Sequence, residues 1–240
     1  MPRFFIEQPP LDGVITVRGS DARHISCSLR MKINDRQTFC HGGYDYLCVI
    51  TAISEDEVVC EVKEAIPSCS EPNTALTLYQ AFPKQDKFEG IVQKTIELGV
   101  KRIVPFMSRR CVSRHNQQSF QKKLTRYQRI AEEAAKQSGR GIIPEVSALM
   151  TFEEALEDMK KSEIRLICYE NGGKRLSETV SPNARSIAVM VGSEGGFERG
   201  EFETAVSSGV TPIGLGERIL RCETCPVAVT AILMYITGEV

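Results

Sequence analysis

The stretch SIAVMVGSEGGFERGEFE (186–203) decides the fold class. Ile187 to Val191 are all apolar. A run this short, without polar alternation, reads as a strand buried on both faces of a parallel sheet. Glycine interrupts it at Gly192, Gly195 and Gly196. A helix is then expected from about Glu198 to Ser208, stopped by Gly209.

The same rhythm extends in both directions. Downstream, VTPIGLG (210–216) reads as a short strand, and a last helix starts near Thr224 with Pro226 in its first turn. Upstream, IRLICYE (164–170) is another two-face-buried strand, and Thr151-Phe152-Glu153-Glu154 is a capping box that opens a helix. TALTLYQAF (74–82) and VKRIVPF (100–106) read as strands. Phe88, Ile91, Val92 and Ile96 recur at helical spacing before Gly99, and Phe120, Leu124, Tyr127, Ala131 and Ala134 mark a longer helix closed by Gly139. Strands alternating with helices predict an α/β fold with a parallel sheet covered by helices.

Residues before position 70 follow a different pattern. Segments 14–18, 37–40, 46–53 and 57–63 are short strands rich in Val, Ile, Thr and Cys, separated by turn residues such as Asn34-Asp35 and Gly42-Gly43. SCSEPN (68–73) reads as a linker. Two domains are therefore expected, a small β unit over 1–70 and an α/β unit over 74–240.

Composition narrows the function. Hydrophobic residues make up 42% and charged residues 25% of the 240 positions, ordinary for a soluble globular protein. No apolar run approaches the ~18 residues of a membrane span, and MPRFFIEQPP lacks the pattern of a secretory signal. A cytoplasmic location is expected. Nine scattered cysteines do not form a disulfide framework and are expected to be reduced, mostly packed as small hydrophobes. Net charge is −1, yet eleven Lys/Arg lie between Lys101 and Arg140 against two acids, Glu132 and Glu133. Such a one-sided block is the footprint of a polyanion partner or a face neutralised by acids elsewhere.

Ligands of open parallel sheets bind beyond the carboxyl ends of the strands. Three such ends are glycine-bearing loops: 168–173, 192–197 and 214–221. Glycine lets the main chain approach a ligand closely. Neither G-x-x-x-x-G-K-[ST] nor a strand-following G-x-G-x-x-G is present, which argues against ATP and NAD. S-adenosylmethionine, a nucleoside without phosphates, fits what remains. Cys222 and Cys225 form a C-x-x-C pair, but a zinc site needs two more ligands at suitable spacing, and the adjacent Cys40-His41 pair belongs to the β unit. No metal is expected.

VGSEGGFERGEFE (191–203) followed by LGERILRCETCPVAV (215–229) resembles the paired signature of the SPOUT methyltransferases, and more narrowly the 16S rRNA (uracil-N3) methyltransferase family, RsmE. RFF (3–5), His24 with Leu29-Arg30, QKTIELGV (93–100) and EEAAKQSGR (132–140) resemble further blocks of that family, so the likeness spans nearly the whole chain. Ser193 stands where proline is common there. Cys222 and Cys225 stand where threonine and alanine are usual, both small.

The resemblance implies an N-terminal PUA-like RNA-binding β-barrel, a C-terminal SPOUT sheet with a deep trefoil knot, and a homodimer. It implies S-adenosylmethionine held by Tyr169, Glu170, Gly192, Glu194, Gly195, Gly196, Leu215, Gly216, Ile219 and Leu220. It implies methylation of uracil N3 in 16S rRNA or the small ribosomal subunit, with Arg221 and Glu223 as candidate catalytic groups. Arg3, His24, Arg30, Lys84, Arg109, Arg110 and Arg140 are the candidate RNA contacts. A tRNA or ribose 2′-OH methyltransferase of the same superfamily, and a non-catalytic RNA-binding protein, remain the alternatives.

Overall fold

The computed structural model describes residues 3–112 and 117–240. The chain divides into two compact units, one of residues 1–71 with 135–143, the other of 72–134 with 144–240. Residues 135–143 joining the first unit is a feature that no motif or composition shift announces.

In the first unit, strands β1 (Arg3–Phe5), β2 (Val14–Arg18), β3 (Arg36–His41), β4 (Tyr44–Ile53) and β5 (Glu57–Pro67) form one sheet in the order β1-β3-β4-β5-β2. β1 pairs parallel with β3, and the remaining ladders are antiparallel. Helix α1 (Ser20–Arg23) and a π-helical turn (His24–Ser28) follow β2. Alternate residues turn inward: Ile15 and Val17 of β2 meet Phe4, Ile25, Phe39, Ile50 and Val58 in a buried core. Cys48 and Cys60 belong to that core, as small hydrophobes should. Register shifts at Leu47/Cys48 and Ile50/Ala52 give β4 two irregularities, the device by which an antiparallel strand bends and a sheet curls.

The second unit is a parallel sheet of β6 (Ala75–Ala81), β7 (Arg102–Met107), β8 (Glu145–Val146), β9 (Met150–Thr151), β10 (Ile164–Cys168), β11 (Ser186–Val191) and β12 (Thr211–Ile213). Its order is β12-β10-β11-β6-β7-β8, with β9 also on β7. The chain between strands forms helices α2 (Lys87–Glu97), α3 (Gln117–Ser138, whose last residues fall in the first unit), α4 (Phe152–Met159), α5 (Leu176–Thr179) and α6 (Arg199–Ser207). Helix α7 (Cys225–Ile236) follows β12. The expected two-face burial of β11 holds: Ile187 to Val191 are all inaccessible. Thr151 caps α4, its hydroxyl accepting from Glu154 N–H while Glu154 returns to Thr151 N–H.

Two packed layers hold this sheet. Phe106, Phe152 and Phe197 meet Tyr79 and Met190 in one core cluster. Phe82, Phe88, Phe120 and Tyr127 interlock as a second aromatic group, with Phe88 and Tyr127 edge-to-face at 4.9 Å. One polar cluster is embedded beside the first. Asp158, nearly inaccessible, accepts hydrogen bonds from Tyr79 Oη at 2.8 Å and from Arg102 and Lys161 at 2.5 Å. Among the described residues no helix is long and apolar enough to cross a membrane.

Candidate functional site

Because the sheet is parallel, the ends of the adjacent strands β10, β11 and β12 open on the same edge. The loops leaving them close around a cavity of about 320 Å³. Its wall carries Tyr169 and Glu170 from the first loop, Gly192, Ser193, Glu194 and Gly196 from the second, and Leu215, Gly216, Ile219, Leu220 and Arg221 from the third. The three glycine loops singled out in the sequence therefore meet at one place.

Main-chain hydrogen bonds fix the loops. Tyr169 N–H donates to Ile213 O and Lys174 N–H to Pro212 O, both at 3.0 Å, so loop 169–174 returns along β12. Gly173 makes this approach practicable: a Cβ there would lie 2.7–2.8 Å from the backbone of Ile213. In the second loop Gly196 N–H donates to Ser193 O at 2.9 Å, closing a tight turn with φ +64° at Gly196. A Cβ on Gly196 would lie 2.7 Å from Glu170 Oε2. Gln80 Nε2 donates to Gly192 O at 3.2 Å, tying that loop to β6. Tyr169 stacks on Phe202 with centroids 3.8 Å apart.

The polar end of the cavity is organised by Lys87, the first residue of α2. Its ammonium lies 3.2 Å from Glu194 and 3.1 Å from Glu223, and 3.8 Å from the sulfur of Cys222. The two carboxylates push Lys87 up to about 12. Glu223 is held down at about 2, first by the Cys222 thiol that donates to it and then by Lys87. Burial raises Glu194, but its own and Lys84's backbone N–H groups and Lys87 outweigh that, and its pKa is lowered. Both carboxylates are ionised at neutral pH and are weak proton acceptors as they stand. Burial, with Glu223 next, pushes the Cys222 thiol up to about 12. Cys168 is likewise raised, by its hydrogen bond with Cys225 and by burial. Cys222 and Cys225 both line the cavity, and among the described residues no group of three metal-ligating side chains is found.

The remaining expected residues divide. Gly195 lies off the cavity wall, against Arg110, whose guanidinium donates to its carbonyl at 3.0 Å. Glu223 faces a second, more open hollow lined also by Gln85, Asp86, Lys87, Gly90 and Lys94. His24, Arg30, Lys84, Arg109 and Arg110 are exposed. His24 sets its ring edgewise to Phe4 at 5.7 Å, and Arg109 pairs with Glu198 at 3.1 Å. Arg140, expected on RNA, is a correction: it is 3% exposed and donates to Glu71 at 2.7 Å. Glu71 also accepts from the N–H groups of Gly141 and Ile142. The pair closes the first unit internally, and a buried guanidinium cannot reach a phosphate. Arg3 is similarly committed, to Asp45 at 3.0 Å, to Ser68 and to the carbonyl of Gly139.

Among the described residues, six cations of the basic block 101–140 have carboxylate partners, Arg109 and Arg140 among them. The other four, Arg102, Arg126, Arg129 and Lys136, pair with Asp158, Glu89, Glu133 and Asp21. Arg114 lies outside the described residues. The sequence did not single out Lys87, Ser193, Phe197 or Arg218 as wall residues. Ser193 and Phe197 sit inside a recognised loop. Lys87 carried no signal, because its role depends on contacts far along the chain.

Comparison with known proteins adds the following. Residues 70–234 match the family described as RNA methyltransferase domain. The chain is 32% identical to a ribosomal RNA small subunit methyltransferase E of Bacillus subtilis, over 99% of this chain and 97% of that one. It is 29% identical to the protein of that name from Aquifex aeolicus, over 96% and 98%. Its fold superposes with a TM-score of 0.88 on a Neisseria gonorrhoeae ribosomal RNA small subunit methyltransferase E solved bound to S-adenosyl methionine. That protein is 31% identical over 98% of this chain and 97% of that one.

Proposed function

The chain belongs to the ribosomal RNA small subunit methyltransferase E family of RNA methyltransferases, and from that premise we propose that it methylates N3 of a uridine in 16S rRNA, using S-adenosylmethionine. One observation carries the reading: the three glycine loops at the ends of β10, β11 and β12 enclose a single cavity, in a chain 31% identical to a protein solved with S-adenosyl methionine.

The residues fit such a ligand. A nucleoside without phosphates needs main-chain donors and acceptors and a flat slot rather than a cationic cradle. Gly192 and Gly196 keep the wall thin, with a Cβ on Gly192 only 3.1 Å from Gly196 Cα. Leu215, Ile219 and Leu220 offer apolar surface, and Tyr169 an aromatic face braced by Phe202. S-adenosylmethionine supplies an electrophilic methyl on a sulfonium: the S–C bond breaks, the N3–C bond forms, and sulfur keeps the electron pair. The protein's first task is alignment, which in well-oriented systems removes ~7–11 kcal/mol of barrier.

Uracil N3 must also lose its proton. Arg221, exposed on the cavity wall, is suited to stabilise the charge that deprotonation places on the ring oxygens. Glu223 is the nearby carboxylate of the matched motif. As a base it has to be released from Cys222 and Lys87 first, since those contacts hold it at about 2.

The wider reading has three parts. The curled first unit serves as a PUA-like RNA-binding barrel, with residues 1–70 and 74–240 as the two functional domains. The three loops form a trefoil knot, supported by loop 169–174 running back along β12. The active species is a cytoplasmic homodimer that binds RNA through exposed cations, Arg30, Lys84, Arg109 and Arg110, with His24. Target bases outside regular helices are the easiest to present.

Mass spectrometry of rRNA nucleosides from a deletion strain tests the proposal. Loss of N3-methyluridine from 16S rRNA is expected. Loss of a 2′-O-methylated nucleoside or a tRNA modification instead would reassign the reaction. Absence of calorimetric heat with S-adenosylmethionine would leave an RNA-binding protein without a donor.

A further inference from the structure

The second hollow adjoins the cofactor cavity and shares a wall with it. Lys87 lines both, and Gln85, Asp86, Gly90, Lys94 and Glu223 complete the second. Resting on the methyl-transfer reading above, we infer that this hollow receives the pyrimidine of the acceptor uridine. Lys87 and Glu223 meet the imide edge of the ring, and the nucleotide lies over Gly90.

Three independent features carry this. The first is distance. Methyl transfer requires the acceptor nitrogen within about 3–3.5 Å of the donor carbon. The acceptor must therefore sit beside the donor cavity, and Lys87 lines both hollows. The second is chemistry. The N3 edge of uracil sets an N–H donor between two carbonyl acceptors. Lys87 and Glu223 set an ammonium donor 3.1 Å from a carboxylate acceptor, the complement of an N–H beside a carbonyl.

The third is Gly90. It is the fourth residue of α2, where glycine weakens a helix relative to alanine. Its φ is not in the left-handed region, and a Cβ there would meet nothing within 4 Å. Neither packing nor backbone conformation within the chain asks for glycine. A bare backbone on the wall of a polar hollow is what a flat ring or its ribose approaches most closely. At the rim, Gln85 holds a left-handed φ of 55°, a conformation non-glycine residues adopt when the surroundings impose it.

The experiment compares the full-length protein with Gly90→Ala and Gly90→Leu, using small ribosomal subunits from a strain lacking the enzyme and tritiated S-adenosylmethionine. Both variants are expected to melt no lower than the parent and to bind S-adenosylmethionine with parental affinity. The RNA KM is expected to rise about tenfold in Gly90→Leu, and less in Gly90→Ala. Parental kcat/KM in Gly90→Leu overturns the assignment. So does a loss of cofactor affinity in either variant, because Gly90 would then serve the donor cavity. A parent protein that binds the donor yet methylates no subunit defeats the underlying reaction instead, a result visible before any variant is made.

Discussion

Lys87 Nζ lies 3.1 Å from Glu223 Oε2, so the start of α2 is ion-paired to the loop that leads into α7. The same ammonium holds Glu194 at 3.2 Å. One cation thus helps lower the pKa of both carboxylates, after the Cys222 thiol at Glu223 and after backbone N–H groups at Glu194. Lys87→Met should raise the pKa of Glu223 from about 2 toward the ordinary carboxylate range, with the Cys222 thiol and the Glu223 backbone N–H retaining part of the depression. Glu194 should rise too. Carbon-detected NMR titration of the two carboxylates measures both. An unshifted Glu223 would mean that the thiol and the backbone N–H set its acidity without the lysine.

Asp158 gives a stability prediction with a definite sign. Burial raises its pKa, but hydrogen bonds from Lys161, Tyr79 and Arg102 outweigh burial and bring it to about 2. A group depressed below its unfolded value of 3.8 contributes stability that is complete above about pH 4 and is lost as pH falls toward 2. The contribution is about 2 kcal/mol. Asp158→Asn should lose about that amount at pH 6 and show a flatter stability profile between pH 4 and pH 2. Urea unfolding at pH 6 and pH 3 reads it. Parallel pH profiles in parent and variant would count against the assignment.

The α/β plan was legible because periodicity and caps are local. The apolar run 187–191, the capping box at Thr151 and the stops at Gly99 and Gly209 are read within a few residues of themselves, and each is where it was expected. The cavity wall was legible through the family signature and the glycine loops. Three things were not. β1 is three residues long, too short for any period, and earns its strand only by pairing with β3. Residues 135–143 join the first unit through long-range contacts such as that of Arg140 with Glu71, so a basic residue in a matched block looked like an RNA contact when it is internal. Lys87 acquires its role from Glu194 and Glu223, which only the folded chain brings to it.

Gly173 is the glycine whose loss should harm the fold most plainly. A Cβ there would press on the backbone of Ile213 at 2.7–2.8 Å, and backbone cannot swing away as a side chain can. Gly173→Ala should cost roughly 1–3 kcal/mol. Gly200, in α6 with nothing within 4 Å of its Cβ position, is the control. Gly200→Ala should leave stability unchanged or raise it by up to ~1 kcal/mol. Thermal melts of the two variants separate the cases, and equal melting temperatures would contradict the close approach of loop 169–174 to β12.

Arg140 and Arg110 make a contrasting pair. Arg140→Ala removes one partner of a buried ion pair and leaves Glu71 to a shell of N–H donors, at a cost of about 3 kcal/mol. Arg110 is exposed, and Arg110→Ala should change stability by less than ~0.5 kcal/mol. If Arg110 contacts phosphate, the slope of log binding constant against log salt should become shallower by about 1 in that variant. Denaturant unfolding and salt-dependent RNA binding together decide. A salt slope that moves with Arg140 and not with Arg110 would reverse the two roles.

Ile219 is 84% exposed at the edge of the cavity, an apolar side chain with little to pack against in the chain alone. Its neighbour Leu220 is only half-buried on the same wall. Water contact of this kind contributes nothing to folding, so Ile219→Ala should leave the melting temperature of the ligand-free protein within about 1 °C of the parent. The methyl donor changes the balance. On the proposed reading, an adenosyl group seated between loops 192–196 and 215–221 would cover the isoleucine, and removing up to three carbons so buried would forfeit at most ~2 kcal/mol of transfer free energy. Donor affinity should therefore fall about tenfold, read by calorimetry with S-adenosylmethionine, with a smaller fall in RNA affinity measured without the donor. A variant that binds the donor as tightly as the parent would mean that loop 215–221 does not close over the ligand, and that the exposed isoleucine serves some other surface.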